Sequence, residues 1–240
     1  MSKQKRNGTA KKSGRILLIV VTILALFLLV FLIWKLIDRV GSDPQSGGAQ
    51  PAESGIELPY ALEDGQLEVT SVFQYTGDNP DCGDEAGEDI AALAVTNKSG
   101  RHLTSAQLIA KLADGTEIRF TVADVPAGQT VWVFAADNSR YDTANPCASI
   151  GCDAQFEAGA PLLAEQLSVS VEETAVTLTN TSGKDLENLT VDCHCLLNDA
   201  YFGGRTYSYA VPSIAAGGSV TIQAEECYLG EAVVVRITQD

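Results

Sequence analysis

The sequence predicts an all-β protein: two antiparallel β-sandwiches in tandem, behind one amino-terminal transmembrane helix. Three observations carry that expectation. Residues Ile16 to Trp34 form a run of 19 residues in which Thr22 is the only polar side chain. Beyond residue 58, short period-two runs rich in Val, Ile, Thr and Phe replace any helical period. Finally, a block of strand and turn residues recurs once, after roughly 85 residues, which is the size of a domain rather than of a solenoid or propeller unit.

The elements follow in chain order. At about 1.5 Å per residue the apolar run reaches roughly 28 Å, close to the ~30 Å hydrocarbon core of a bilayer. A transmembrane helix is therefore expected over 16–37. Lys3, Lys5, Arg6, Lys11, Lys12 and Arg15 precede it with no acidic residue, so the positive-inside rule places a basic tail, 1–15, in the cytoplasm and everything after the helix outside. A cleaved signal peptide is the alternative. Its apolar region is ordinarily only ~7–15 residues long and ends at a small-residue cleavage site, whereas this run continues into Lys35, Leu36, Ile37, Asp38, Arg39 and Val40. An uncleaved anchor is the expectation, from Ile16 to an interfacial indole at Trp34. The lipid bilayer is thus a partner through 16–37, and the localisation is a single-pass cell-membrane protein with its carboxy-terminal domains extracytoplasmic.

Charge divides the chain in the same way. The overall net charge is −15. Residues 1–40 carry eight Lys/Arg and one Asp, a net of +7, which leaves −22 for the remainder. A polyanion would be repelled by that exterior field, and no basic stripe interrupts it, so nucleic acid is excluded as a partner. The basic tail fixes topology and lies near anionic lipid, at about 1 kcal/mol per residue. All six cysteines, Cys82, Cys147, Cys152, Cys193, Cys195 and Cys227, follow the anchor. An even count in an exported segment points to disulfides rather than to metal or catalysis.

Residues 41–58, rich in Gly, Ser, Pro and Ala, read as a flexible stalk. Then Leu67, Val69 and Ser71 alternate with Glu68, Thr70 and Val72; Ile118, Phe120 and Val122 with Arg119, Thr121 and Ala123; Val220 and Ile222 with Thr221 and Gln223. Asp114-Gly115 and Asn97-Lys98-Ser99-Gly100 supply turns between such strands. The repeat aligns LAVTNKSGRHLTSAQL (93–108) with VTLTNTSGKDLENLTV (176–191), and VPAGQTVWV (125–133) with IAAGGSVTI (214–222). Two sandwiches follow, 59–158 and 162–240, with a boundary near Gly159-Ala160-Pro161.

A strand, Asn-x-Ser-Gly, a strand ending in Asp-Gly, then a short Pro/Ala-Gly-x-Thr/Ser hairpin resembles the small immunoglobulin-like modules named for a Phe-x-Leu-Tyr-Asp motif, found in bacterial cell-envelope proteins. Leu112 and Asp114 occupy the Leu and Asp positions of that motif; Ala110 and Ala113 replace its aromatic residues, and the second copy, Cys193 to Leu197, keeps none of them. The resemblance implies two tandem immunoglobulin-like sandwiches over 66–240, and no shared activity.

Candidate chemistry is sparse. His102 falls in a strand-to-strand connection where its repeat partner is Asp185, and a solvated turn residue is expected. His194 lies between Cys193 and Cys195, so strand alternation sends its ring to the face opposite both sulfurs. No Gly-x-Ser-x-Gly, His-Glu-x-x-His, phosphate loop or Cys-x-x-Cys occurs, and no enzyme activity or cofactor is expected. By the repeat, Cys193 and Cys195 replace Ala110 and Leu112, which point inward, so buried thiols are one reading. The other is a disulfide. The end of the 189–196 strand and the segment after the 219–224 strand meet at one end of a sandwich, which favours Cys195–Cys227, with Cys193–Cys227 second. In the first sandwich Cys147–Cys152 would close a small loop, or Cys82 would join either one. The loop 77–89 carries Asp78, Asp81, Asp84, Glu85, Glu88 and Asp89, hard oxygens suited to calcium, although a solvated acidic loop is the simpler reading and no metal site is assigned. Trp132, Phe134, Tyr141, Tyr201, Phe202, Tyr207 and Tyr209 include possible sugar-stacking groups; most are expected in the core.

The expected function is a non-enzymatic binding, adhesion or scaffold protein of the cell envelope, whose partner is an envelope protein or glycan met by loops or an edge strand. The alternative is an accessory or sensor subunit of a membrane complex, in which the short tail transmits through another protein.

Overall fold

A computed structural model describes residues 50–51, 55–79, 81, 86–158, 162–197 and 199–239. The anchor run Ile16–Trp34 and the boundary at 159–161 lie outside them. Among the described residues no helix is long and apolar enough to cross a membrane. The fold is all-β. Its first half contains β1 (Gln50–Pro51), β2 (Tyr60–Leu62), β3 (Leu67–Asp78), β4 (Ala86–Asn97), β5 (His102–Leu112), β6 (Glu117–Val125), β7 (Thr130–Phe134) and β8 (Cys147–Glu157). The second half contains β9 (Leu167–Glu172), β10 (Ala175–Asn180), β11 (Leu186–Leu197), β12 (Ala200–Tyr201), β13 (Tyr207–Ile214), β14 (Ser219–Gln223) and β15 (Glu231–Gln239). The helical content of the described residues is limited to short 3-10 turns such as Glu63–Gly65 and Glu225–Cys227.

Four antiparallel sheets result, and the two halves repeat one strand order. In the first half β3-β4-β7 faces β6-β5-β8; in the second, β9-β10-β14 corresponds to the former and β13-β11-β15 to the latter. β1 and β2 both add to the free edge of β3, so Gln50 and Pro51 of the expected stalk pair with Gln74 and Phe73. Two hydrophobic clusters fill the interiors. Leu67, Leu93, Leu108, Phe120 and Val133 are buried in the first, Val176, Leu178, Val191 and Ile237 in the second. Alternation produces these clusters: in β6 the inward Ile118, Phe120 and Val122 are buried while Glu117 and Arg119 are exposed.

The repeated Asn-x-Ser-Gly is the same device twice. Asn97 is fully buried; its Nδ2 donates to the carbonyls of Arg101 (2.9 Å) and Val125 (2.8 Å), while its Oδ1 accepts the Ser99 hydroxyl at 2.7 Å. Asn180, equally buried, donates to Lys184 (2.7 Å) and Ile214 (2.9 Å) and accepts from Ser182 at 2.7 Å. Each side chain thereby satisfies backbone carbonyls from a turn and from a strand of the opposite sheet, closing one end of the sheet pair. The hairpin glycines complete it: Gly128 (φ +79°) and Gly217 (φ +70°) donate to the Asn97 and Asn180 carbonyls, in a conformation that L side chains rarely adopt. A third correspondence emerges in space, where the Gln66 and Gln166 carbonyls accept the amides of Lys98 and Thr181, both at 2.8 Å.

One alternation is corrected. Val72 was expected opposite Leu67 and Val69, but it is 4% exposed. The β3–β4 register shifts between Val69 and Ser71. This bulge leaves Thr70 out of the pairing, with its hydroxyl on the Ala94 carbonyl at 3.3 Å, and exchanges the faces of the residues that follow.

Candidate functional site

The strongest concentration of buried polar groups joins the two halves. β11 is buried on both faces from Val191 to Cys195. Val191, Cys193 and Cys195 face the second core, so Asp192 and His194 face the other way. Cross-strand register brings partners to Asp192: Ser208 of β13 and Arg236 of β15 lie opposite it. Ser208 Oγ donates to Asp192 Oδ1 at 2.6 Å, and Arg236 Nε to Oδ2 at 2.9 Å. From the first half, Asp124 at the end of β6 reaches the same Arg236 at 3.3 Å. Asp124 also accepts from Thr206 Oγ1 at 2.8 Å and contacts His102 Nε2 at 3.2 Å. Arg236 therefore sits between two carboxylates of different halves, and a third, Glu157, lies 4.0 Å away.

Proton placement follows from this network. Burial works against a charge on Asp124, yet the hydrogen bonds from His102 and Thr206 and the charge of Arg236 outweigh it and hold the carboxyl below its usual range. Thr206 spends its single proton on that carboxylate, so its oxygen accepts from His194 Nε2–H across 3.3 Å. Burial pushes His194 down to about 4, and the ring is neutral at physiological pH. Such a set of mutually satisfied polar groups holds two surfaces in register.

His102 is corrected by this arrangement. It is 1% exposed rather than solvated, because in the first half that connection faces the second, while the corresponding Asp185 receives the Ala216 amide at 2.8 Å in an exposed turn. His194 does point away from both neighbouring sulfurs. Asp124, Asp192, Thr206 and Arg236 were not singled out from sequence; a polar residue at every second strand position signals solvent as readily as a second surface.

The segment 199–206 makes a second junction. Phe202 belongs to the first hydrophobic cluster with Ala200. Its ring stacks on Phe134 at 5.2 Å and meets Tyr75 edge-on at 6.3 Å. Gly203 donates to the Trp132 carbonyl and accepts from the Ala123 amide, both at 2.9 Å, so the segment zips the gap between β7 and β6. A Cβ on Gly203 would lie 2.5 Å from Val131, hence glycine. Gly204 donates to Asp81 Oδ2 at 2.8 Å. Beside them opens a cleft of ≈ 200 Å³ lined by Asp81, Thr121, Phe134, Ala135, Gly204 and Arg205.

The remaining candidates separate. Cys195 and Cys227 form a disulfide, with Cα atoms 5.1 Å apart. Cys193 is a buried thiol pushed up to about 12 by burial and by Asp192 and Glu226, so one cysteine of the pair keeps the role of a small hydrophobe and the other is bonded. Cys147 and Cys152 are free. The expected loop between them is not closed, because both lie on β8, where five residue steps of extended chain hold them roughly 17 Å apart. Cys82 lies outside the described residues, as do Asp84 and Glu85. In the rest of the acidic loop Asp81 turns to Gly204, and Glu88 pairs with Arg140 at 2.7 Å on the surface. Asp78 lends its carbonyl to the Tyr75 hydroxyl at 2.5 Å, and Asp89 donates its amide to Thr76. Among the described residues no three potential ligands converge on a metal position. Of the aromatics, Phe134, Tyr141, Phe202 and Tyr207 are buried, while Trp132, Tyr201 and Tyr209 are half-buried.

No protein-family model matches the chain, and no curated protein is similar to it.

Proposed function

We propose that this chain is a membrane-anchored, extracytoplasmic binding or scaffold protein of the cell envelope, presenting two tandem immunoglobulin-like sandwiches of the Phe-x-Leu-Tyr-Asp type on an amino-terminal anchor. The observation that carries the reading is the 16–34 apolar run with six basic residues before it and none acidic. Support comes from the strand order that both halves share and from their separate hydrophobic clusters. The polar clamp Asp124–Arg236–Asp192 adds to it, since a binding surface gains when the modules that carry it are held in fixed register. Recognition then falls to loops and free strand edges, with an envelope protein or glycan as partner, while the strongly acidic exterior disfavours polyanions.

The experiment is fractionation of cells making the full chain, followed by protease treatment of intact cells. The expected result is a protein that stays in membranes through an alkaline carbonate wash and loses its carboxy-terminal region to external protease. A soluble product beginning near residue 45, or a carboxy-terminal region shielded in intact cells and cut only after lysis, overturns the proposal.

A further inference from the structure

Asp81 and Gly204 are 123 residues apart, and their contact is the point at which the acidic loop of the first half holds the segment 199–206 of the second. Four features of that contact belong together. Asp81 Oδ2 accepts the Gly204 amide, while Oδ1 is buried with no hydrogen-bond partner. The fit is close: a Cβ on Gly204 would come within 2.7 Å of Oδ2. The held segment is short and fills the gap between β6 and β7 through Phe202 and Gly203, so its departure would uncover the Trp132 carbonyl and the Ala123 amide. The adjoining cleft gives water a path to the carboxylate once the segment lifts.

We propose that the Asp81–Gly204 contact is a pH-sensitive latch: with Asp81 neutral the segment 199–206 lies closed between β6 and β7, and ionisation of Asp81 releases it. A carboxylate with one buried, unpartnered oxygen is poorly solvated in the closed state and well solvated in the open one. Burial raises Asp81 to about 7, against which the Gly204 amide, the Arg205 charge and the Arg205 amide act only in part. The direction follows from that elevation. The protonated acid favours the closed state, so closure is fully supported at low pH and is lost as pH rises towards 7, above which the loss levels off. Other charged groups face the segment. Arg205 lies over the Tyr207 ring and favours the ionised form; Asp124 binds Thr206 at the far end, with His102 behind it; His194 contacts Tyr201. His194 and Asp124 keep their protonation states between pH 5.5 and 8.5, since one titrates near 4 and the other below the usual carboxylate range.

Hydrogen–deuterium exchange of the full chain in detergent micelles tests the latch, with intrinsic exchange rates divided out. Opening grows tenfold per pH unit below the folded pKa, so peptides covering 199–206 should lose on the order of 30-fold in protection between pH 5.5 and 8.5. Peptides covering β10 and β14 serve as the control and should stay level. Asp81→Asn keeps an oxygen for the Gly204 amide and should abolish the pH dependence. Gly204→Ala, which forces the contact apart sterically, should show low protection already at pH 5.5. Flat wild-type protection across the range overturns the proposal. So does an unchanged 30-fold loss in Asp81→Asn, which would assign the transition to a group other than Asp81.

Discussion

Asn97 and Asn180 illustrate how much one side chain can carry. Each is buried and bonded at both ends of its amide, so truncation removes the donor from a turn carbonyl and from a strand carbonyl, the second of which is buried away from water. Asn180→Ala should cost about 2–4 kcal/mol, whereas Ser182→Ala, whose position is near solvent, should cost under about 1 kcal/mol. Urea unfolding of the full chain in detergent measures both. Arg236 poses a different problem, since its removal strands Asp124 and Asp192 as buried anions. Arg236→Met should destabilise by about 3–5 kcal/mol at pH 7. The same variant should be much less harmful near pH 3. Asp124 is held below its usual range, so its contribution is present above ordinary carboxylate pKa values and lost as pH falls through the depressed one. Thermal melts of wild type and variant at the two pH values decide this. Asp81 has the opposite sign, being raised, so acid favours one junction between the halves while weakening the other.

Among the elements, β11 is the most heavily committed. It pairs with β13 on one side and β15 on the other, and its residues are buried on both faces between Val191 and Cys195. The Cys195–Cys227 bond ties its end to the turn after β14, across a separation of 32 residues. In the chain-entropy account a loop of that length contributes about 3–4 kcal/mol. The double variant Cys195→Ala/Cys227→Ala should be weakened by that amount. Non-reducing peptide mapping should recover one Cys195–Cys227 cross-link, with Cys193 alkylated only after unfolding. A Cys193–Cys227 peptide would contradict the assignment. The segment around β12 is the second committed element. Phe202→Ala empties a position between Phe134 and Tyr75 and should cost about 3–5 kcal/mol. Because Phe202 lies in the second half and its cavity in the first, the loss should appear as destabilisation of β3, β4 and β7, read as faster amide exchange in their peptides.

At the scale of the molecule, residues Gly47–Asp240 form one compact unit. The Asp124–Arg236–Asp192 bridge, the Asp81–Gly204 contact and the inserted Phe202 all cross between the two hydrophobic clusters. Two halves coupled by so many buried groups should melt together. Calorimetry of the full chain is therefore expected to give one transition for the β region, with calorimetric and van't Hoff enthalpies in agreement. Two resolved transitions would show that the junction contributes little. A chain ending at residue 158 lacks Ala200 and Phe202 from its core, and should lose the cooperative melt or show it many degrees lower.

Strand positions, the all-β class, the internal repeat and the inward face of Cys193 and Cys195 were legible in the sequence because they rest on local rules. Side chains alternate along a strand, Asn, Gly and Asp close turns, and a repeated turn motif implies a repeated neighbourhood. Even the disulfide followed, since counting strands up and down places their ends. The bulge at Thr70 was not legible, because an extra residue in one strand is defined only against its partner. Nor was the site. His102, Asp124, Asp192, His194, Thr206 and Arg236 are spread over 135 residues, and in each half they read as the wet face of a sheet. Whether a polar face meets water or a second polar face depends on how one half packs on the other, and no local periodicity records that. Burial then changes the chemistry of those groups, lowering His194 and raising Asp81, so it was the tertiary structure alone that turned ordinary surface residues into a clamp and a latch.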